Sequence, residues 1–245
     1  MTATGPRIGT AGWSVPSVLA DRFPPPGSHL ERYARVMNAV EINSSFYRPH
    51  RQETYRRWAS ATPDGFRFAV KAPRLLTHDQ RLARPEAGLD RFASEVAGLD
   101  DKLGVVLVQT PPSLRFEPET ADAFFAALSD RLAVPVALEP RHASWFTATA
   151  DGWLAQRRIA RVAADPAPVE KAGEPGGWRG LTYIRLHGSP RIYYSAYAPA
   201  ALAATAERLA READLRPTWC VFDNTAASHA LPDALTVMAA SGQEP

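Results

Sequence analysis

Short apolar runs recur along the chain, with longer amphipathic stretches between them. The runs are RIGTAGW (7–13), AVEINSSFY (39–47), RFAVKAP (67–73), LGVVLVQTPP (103–112), PVALEPR (135–141), IARVAADP (159–166), LTYIRLHG (181–188) and TWCVFDNT (218–225). Their starts lie 22 to 37 residues apart. A strand with its crossover helix takes about 30 residues, so this spacing predicts parallel strands joined by helices. The stretches between the runs agree. SHLERYARVM offers Ser28 as N-cap with Glu31 three residues on, a capping box, and puts Leu30, Tyr33 and Met37 on one face. GLDRFASEVAGLDDKLG aligns Leu89, Phe92, Val96 and Leu99, with Gly104 near its stop. PETADAFFAALSDRL and PAALAATAERLAREADL read as amphipathic helices, and SHALPDALTVMAA as a last helix with Pro232 near its start. TATADGWLAQRR is a short helical stretch, whereas APVEKAGEPGGWRG reads as a Gly/Pro loop.

Eight such repeats in 245 residues fit one (β/α)8, TIM-barrel-like domain over residues 1–245, with irregular loops after strands five to seven. A doubly wound open sheet fits less well, because no G-x-G-x-x-G follows the first strand.

Composition narrows the class without choosing a function. The hydrophobic fraction of 45% and charged fraction of 22% are those of an ordinary globular protein. The net charge of +2 rests almost wholly on arginine, since Lys71, Lys102 and Lys171 are the only lysines. So small an excess does not by itself point to nucleic acid. Cys220 is alone in TWCVFDN, which excludes an internal disulfide or thiolate metal cluster and suits a buried, inert thiol. MTATGPRIGTAGWS lacks the basic-then-apolar order of a secretory signal, and no stretch approaches the roughly 18 apolar residues of a membrane span. A soluble, cytoplasmic protein without a membrane partner is the expectation. Its oligomeric state is not set by composition.

Parallel strands covered on both faces read almost continuously apolar, so each polar residue in these runs needs a reason. Side chains two apart share a face. Glu41 pairs in this way with Asn43, Glu139 with Arg141, and Tyr183 with Arg185 and His187. The interleaved Ile42, Leu138, Ile184 and Leu186 suit a helix layer. Lys71 shares a face with Ala69, Gln109 with Val105 and Leu107, and Asp165 with Arg161 and Ala163. Asp223 and Asn224 end the last strand on opposite faces. Nearly all of these lie toward the carboxyl ends of their strands, where (β/α)8 active sites are built. Taken singly, each fits a structural ion-pair layer, with Glu139 on Arg141 or Arg185 and Glu41 on Lys71. Gathered on one rim they would cost several kcal/mol each in lost hydration unless well paired, and function is the usual reason to keep such groups.

The motifs GTAGW (9–13), EINSSFY (41–47), KAP (71–73), THDQRL (77–82), QTPP (109–112), EPRHASW (139–145), RLHG (185–188) and FDNT (222–225) stand in this order. Together they resemble the YecE-like family, domain of unknown function 72, over about residues 8–224. The resemblance implies a TIM-barrel-like fold and supplies no activity. One departure stands out: the family pattern leads us to expect two consecutive amides after the last strand's Phe, where this chain has Asp223 and then Asn224. SPRIYYSAY, after RLHG, is similar to the family's Tyr-rich loop. It would either overhang a pocket through Tyr193, Tyr194 or Tyr197 or pack them as ordinary surface aromatics.

Several chemistries compete for this rim. Lys71, Arg141 and Arg185, from strands three, five and seven, would hold an anion, with arginine giving a bidentate grip on carboxylate or phosphate. Gly12 suits close backbone approach or a tight turn, and Trp13 a stacking wall or an apolar plug. Asn43, Tyr47, Gln109 and Asn224 would orient a substrate. Glu41 and Glu139 would flank it as acid and base, with His187 assisting because neighbouring charge moves an imidazole pKa. His142 points elsewhere on this reading and His78 lies in a loop. Glu41, Glu139, His187 and Asp223 would suit an oxygen-rich divalent site, but a metal is not expected, since no H-x-x-x-H or H-E-x-x-H is present and three cations stand beside the carboxylates. No nucleotide loop, flavin signature or local serine-nucleophile motif appears, so no cofactor is expected either.

The expectation is therefore an enzyme, a hydrolase or isomerase, using acid–base catalysis on a small polar or anionic substrate that is phosphorylated or carboxylated. Two alternatives stay open. One is a nucleic-acid-binding or nuclease-like protein using the same rim, with salt-sensitive affinity for single strands. The other is a non-catalytic ligand-binding protein. On the catalytic reading, changing Glu41 and Glu139 together to Gln is expected to leave folding intact or improved.

Overall fold

The computed structural model describes residues 5–243. Its strands are β1 (Arg7–Thr10), β2 (Ala39–Ile42), β3 (Arg67–Lys71), β4 (Leu103–Gln109), β5 (Val136–Glu139), β6 (Ile159–Arg161), β7 (Ala163–Asp165), β8 (Gly176–Gly177), β9 (Thr182–Leu186) and β10 (Thr218–Phe222). The α-helices are α1 (His29–Ala34), α2 (Ser44–Tyr47), α3 (Gln52–Ser60), α4 (Glu86–Val96), α5 (Pro118–Arg131), α6 (Ala148–Gln156), α7 (Pro199–Ala213) and α8 (Ala230–Ala240). The result is a mixed α/β fold with two sheets, ordered β1-β10-β9-β7 and β2-β3-β4-β5-β6-β8. Every pairing is parallel except that of the two-residue β8 with β6. Among the described residues, no helix is long and apolar enough to cross a membrane.

The two sheets touch at both ends. IARVAADP divides at Val162, so that β6 follows β5 in one sheet while β7 joins β9 in the other. The Val162 N–H still donates to Leu138 O at 2.9 Å. At the opposite end, Ala11 bridges Glu41 in the parallel sense, and the Gly12 N–H donates to Glu41 O at 2.9 Å. β1 and β2 come this close because Gly9 has no side chain; a Cβ there would collide with the Ala39 carbonyl. Gly12 meets a different need. A Cβ would find open space, but φ is +93°, a conformation that glycine adopts without strain.

Alternation along the strands builds two cores. Val40, Ile42, Phe68, Val70, Val106, Val108, Leu138, Ile184, Cys220 and Phe222 face the helices and belong to the larger one. Ala39, Ala69, Val105, Leu107, Ala137, Ala160, Val162, Tyr183, Trp219 and Val221 form the smaller one on the other face. That second core is made largely of small residues, filled by Tyr183 stacked on Trp219 with ring centroids 6.0 Å apart. The small residues of this face leave room for the few large rings among them.

Several expected elements take their predicted form. Ser28 and Glu31 close the capping box of α1, and Leu30, Tyr33 and Met37 are buried. Leu89, Phe92, Val96 and Leu99 are buried as one stripe, although α4 stops at Val96, a 3-10 segment carries the chain to Lys102, and Gly104 lies in β4. Others differ. β2 ends at Ile42 rather than near Tyr47, because the Ser45 hydroxyl lies 2.9 and 2.7 Å from the Ile42 and Lys71 carbonyls and favours the single helical turn of α2. α3 has a mostly polar sequence in which only Tyr55 is fully buried, too thin an apolar stripe to stand out as a helix.

Candidate active site

The inner faces of both sheets carry their polar residues at the carboxyl ends of the strands, and those residues converge on Arg185 of β9. Its guanidinium grips Glu41 of β2 with two bonds, Nε to Oε2 at 3.0 Å and Nη2 to Oε1 at 2.8 Å. Nη1 donates to Glu139 Oε2 of β5 at 2.6 Å, and Nη2 to Asp223 Oδ2, just after β10, at 2.9 Å. Tyr183 adds a bond to Glu41 Oε2 at 2.9 Å. Arg185 and Glu41 are both 0% exposed, so this network lies fully out of water. It is directly above the stacked Tyr183–Trp219 pair in strand order, an apolar floor beneath a charged layer. Glu139 thus pairs with both Arg185 and Arg141, whereas Glu41 takes Arg185 rather than Lys71.

His187, two residues beyond Arg185 on the same face, stands between two carboxylates. Nε2 is 2.8 Å from Glu139 Oε1 and Nδ1 is 3.1 Å from Asp223 Oδ2. An imidazolium donates to both carboxylates, having a donor at each nitrogen, whereas a neutral ring would donate to Asp223 and accept at Nε2 from Arg141 Nη2, 3.0 Å away. Burial works against that charge and Arg185 opposes it, but Glu139, aided by Asp223, raises the His187 pKa above its ordinary value. The same cations hold Glu139 well below the usual carboxylate range, and Asp223 below it too, against the effect of burial.

A raised imidazole pKa has a fixed sign in stability. The contribution is fully present below the unfolded value of 6.5 and is lost as pH rises through the higher folded value. Urea midpoints should therefore fall as pH climbs from about 6.5 toward 8, and His187→Gln should flatten that limb. A wild-type profile that is level there would show that His187 is not held as the imidazolium.

Lys71 closes β3 beside this network and differs from it. The side chain is buried at 5% exposure, its Nζ lies 4.3 Å from the Phe46 ring centroid, and among the described residues it has no hydrogen-bonding or salt-bridging partner. Burial first and Arg185 second push its pKa down to about 8, against the pull of Glu41, Asp223 and Glu139. Neighbouring strands leave further polar atoms unmatched: Asn43 Oδ1 after β2 and Arg141 Nε after β5 are buried without a partner. Gln109, the last residue of β4, lies between them in strand order and is 8% exposed.

The structure brings Glu41, Glu139, His187, Arg141 and Arg185 into one network, with Lys71 alongside. It puts three other candidates elsewhere. Trp13 packs edge-on against Trp58 of α3, with centroids 5.0 Å apart. Tyr47 is 74% exposed and rests edge-on against Phe46, with ring centroids 5.0 Å apart. Asn224 turns away from Asp223 and donates to Ser195 O and Asp233 Oδ2 at 3.0 and 2.7 Å. Tyr183 and Phe46 are the neighbours that a search for catalytic side chains passes over, while Asp223, marked as a polar strand end, joins the network. The spacing of two from Arg185 marks Tyr183, whereas only the folded chain brings Phe46 under Lys71. Of the loop tyrosines, Tyr193 covers His187 edge-on at 5.8 Å, while Tyr197 is tied to Asp165 and the Gly188 N–H. The carboxylates turn toward guanidinium and imidazole donors, and among the described residues no group of three or more His, Cys, Asp or Glu is arranged to hold a metal ion.

Comparison with known proteins agrees with this picture at the level of the fold. UPF0759 protein YecE of Escherichia coli (strain K12) is 29% identical over 174 residues, covering 67% of this chain and 61% of the relative's length. UPF0759 protein YunF of Bacillus subtilis (strain 168) is 29% identical over 205 residues, covering 74% of this chain and 69% of the relative. The crystal structure of a DUF72 family protein from Enterococcus faecalis V583 superposes with a TM-score of 0.80 at 20% identity, covering 96% and 95% of the two chains. One from Thermotoga maritima MSB8 gives 0.78 at 22% identity, covering 96% and 98%. The model of the family described as "Protein of unknown function DUF72" matches residues 7–245, and the chain belongs to that family.

Proposed function

We propose that the two sheets act as one barrel-like ring, and that its carboxyl-end rim is the active site of an enzyme for a small anionic substrate. The observation that carries this reading is the set of unmatched polar atoms there. Arg141 Nε and Asn43 Oδ1 are buried without partners, and Lys71 Nζ meets only the Phe46 ring among the described residues, beside a layer of charges that is otherwise densely paired. Buried polar groups are nearly always satisfied, so an unmatched donor and an unmatched acceptor beside a rigid network suit a ligand that completes them. Two of the three are cationic side chains, which favours a carboxylate or phosphate.

On this reading the catalytic roles are redistributed. Glu41 accepts two bonds from Arg185 and one from Tyr183, an arrangement that makes it a brace. His187 is the proton carrier of this reading, oriented by Glu139 and Asp223, and the reaction is a proton-transfer isomerisation or a hydrolysis. A second reading has its own observation. Arg191 lies 3.9 Å over the ring of Tyr194 on the exposed loop beside the rim, a platform that suits a single-stranded nucleic acid.

A thermal-shift panel of phosphorylated and carboxylated metabolites, run with an oligothymidylate across a salt series, separates these. A saturating small anion should raise Tm by about 5 °C or more, and Arg141→Gln should abolish the gain. Turnover of that anion, lost in His187→Gln, identifies an enzyme rather than a binding protein. Oligonucleotide binding with a steep salt slope and no response to any small anion would replace this reading with the second.

A further inference from the structure

Within the proposed active site, we infer that Lys71 is a nucleophile that condenses with the carbonyl carbon of an aldehyde or keto acid to form an imine. The inference rests on the anion-site reading and names its substrate class. The chain itself supplies the comparison. Lys102 is also buried, and its Nζ donates to Ala59 O at 2.8 Å, to Thr62 O at 2.6 Å and to Thr62 Oγ1 at 3.3 Å. Three acceptors are what a structural ammonium requires. Lys71 has none among the described residues and faces an aromatic ring instead. It is the last residue of β3, on the inner face, flanked in strand order by Asn43 and Gln109. An amine used only for structure would gain from acceptors, whereas a nucleophile needs its lone pair free.

Burial is the main reason that the lone pair is accessible. Burial first and Arg185 from β9 second disfavour the ammonium, while Glu41, Asp223 and Glu139 favour it, and the balance leaves Nζ with a pKa of about 8. His78, in the π-helical turn after β3, sits edge-on to Phe46 at 5.0 Å and feels Lys71 as a positive neighbour. At neutral pH the uncharged fraction is on the order of a hundredfold larger than for an ordinary lysine. The neutral amine attacks the carbonyl carbon, the C=O π pair moves to oxygen, and the carbonyl oxygen takes up a proton. The carbinolamine then loses water, with proton transfer from an acid such as His187, and the C=N bond forms. One amine and one carbonyl compound give one imine and one water. No electrons are exchanged with an outside reagent. The carboxylate of a keto acid would lie against Arg141.

Glyoxylate, an aldehyde that carries a carboxylate, is the probe. The full-length protein is incubated with glyoxylate and sodium cyanoborohydride, digested, and the three lysines are compared by mass spectrometry. We expect Lys71 to be labelled at least about tenfold faster than the exposed Lys171 at pH 7, with Lys102 inert. Labelling of Lys71 should rise half-maximally near pH 8, and malonate, which has no aldehyde or ketone, should protect it. Labelling that follows exposure, with Lys171 modified and Lys71 untouched, overturns the inference. If malonate nonetheless raises Tm, the anion site stands and only the nucleophile is lost; if neither anion acts, both readings fall. No variant is needed for this comparison, so a folding defect cannot obscure it.

Discussion

Arg185→Met should lower the unfolding free energy by about 3–5 kcal/mol at neutral pH, the range for removing one partner of a buried ion pair. The guanidinium is the centre on which Glu41, Glu139 and Asp223 meet, and without it Glu41 stays out of water with the Tyr183 hydroxyl as its side-chain partner among the described residues. Against a total stability of about 5–15 kcal/mol, this is a large loss. Urea unfolding should show a lower midpoint with an unchanged slope. The deficit should shrink below about pH 5, because Glu139 and Asp223, no longer held down by Arg185, regain protons more readily. A variant as stable as wild type would mean that the network is solvated rather than dry. The same geometry reverses the expectation that Glu41 and Glu139 can be neutralised together without penalty. That double change leaves Arg185 with Asp223 as its one charged partner in the network, an under-matched buried cation.

Lys71→Met should act in the opposite direction, stabilising the fold by on the order of 2 kcal/mol while abolishing anion binding. A base whose folded pKa is depressed to about 8 destabilises the native state whenever it is charged. That penalty applies in full below pH 8 and disappears as pH rises through 8 toward 10.5. Methionine matches the length of the lysine stem, keeps the contact with Phe46 and removes the charge. The gain should therefore be clear at pH 7 and absent near pH 10. Gains from removing a strained or unmatched group are typical of functional sites. Should Lys71→Met destabilise the protein at pH 7, the ammonium would have to be paired after all, and its part in the site would be structural.

Much of this was legible in order and pattern. Runs such as RFAVK and LGVVLVQ must be strands buried on two faces, since nearly every position is apolar and helices of the right length separate them. The rule that residues two apart share a face put Tyr183, Arg185 and His187 together, and the structure keeps them so. That rule holds because it is local: pleating sets it whatever the neighbours are. It fails where the strand has already ended. Tyr47 belongs to α2, so its exposure follows a helical turn rather than a pleat. Trp13 lies three residues beyond β1 and turns to Trp58, a partner 45 positions away.

By itself, then, the amino-acid order determined the α/β alternation, the inward and outward faces of each strand and the end at which polar groups collect. These depend on periodicity and on spacing along one chain. Only the tertiary structure decided who pairs with whom: Arg185 rather than Lys71 takes Glu41, Asp223 joins the network while Asn224 leaves it, and Lys71 is left over an aromatic ring. Pairing across a narrow interior depends on side-chain reach between strands far apart in sequence, and distances of a few ångströms separate a neutralised charge from a reactive one.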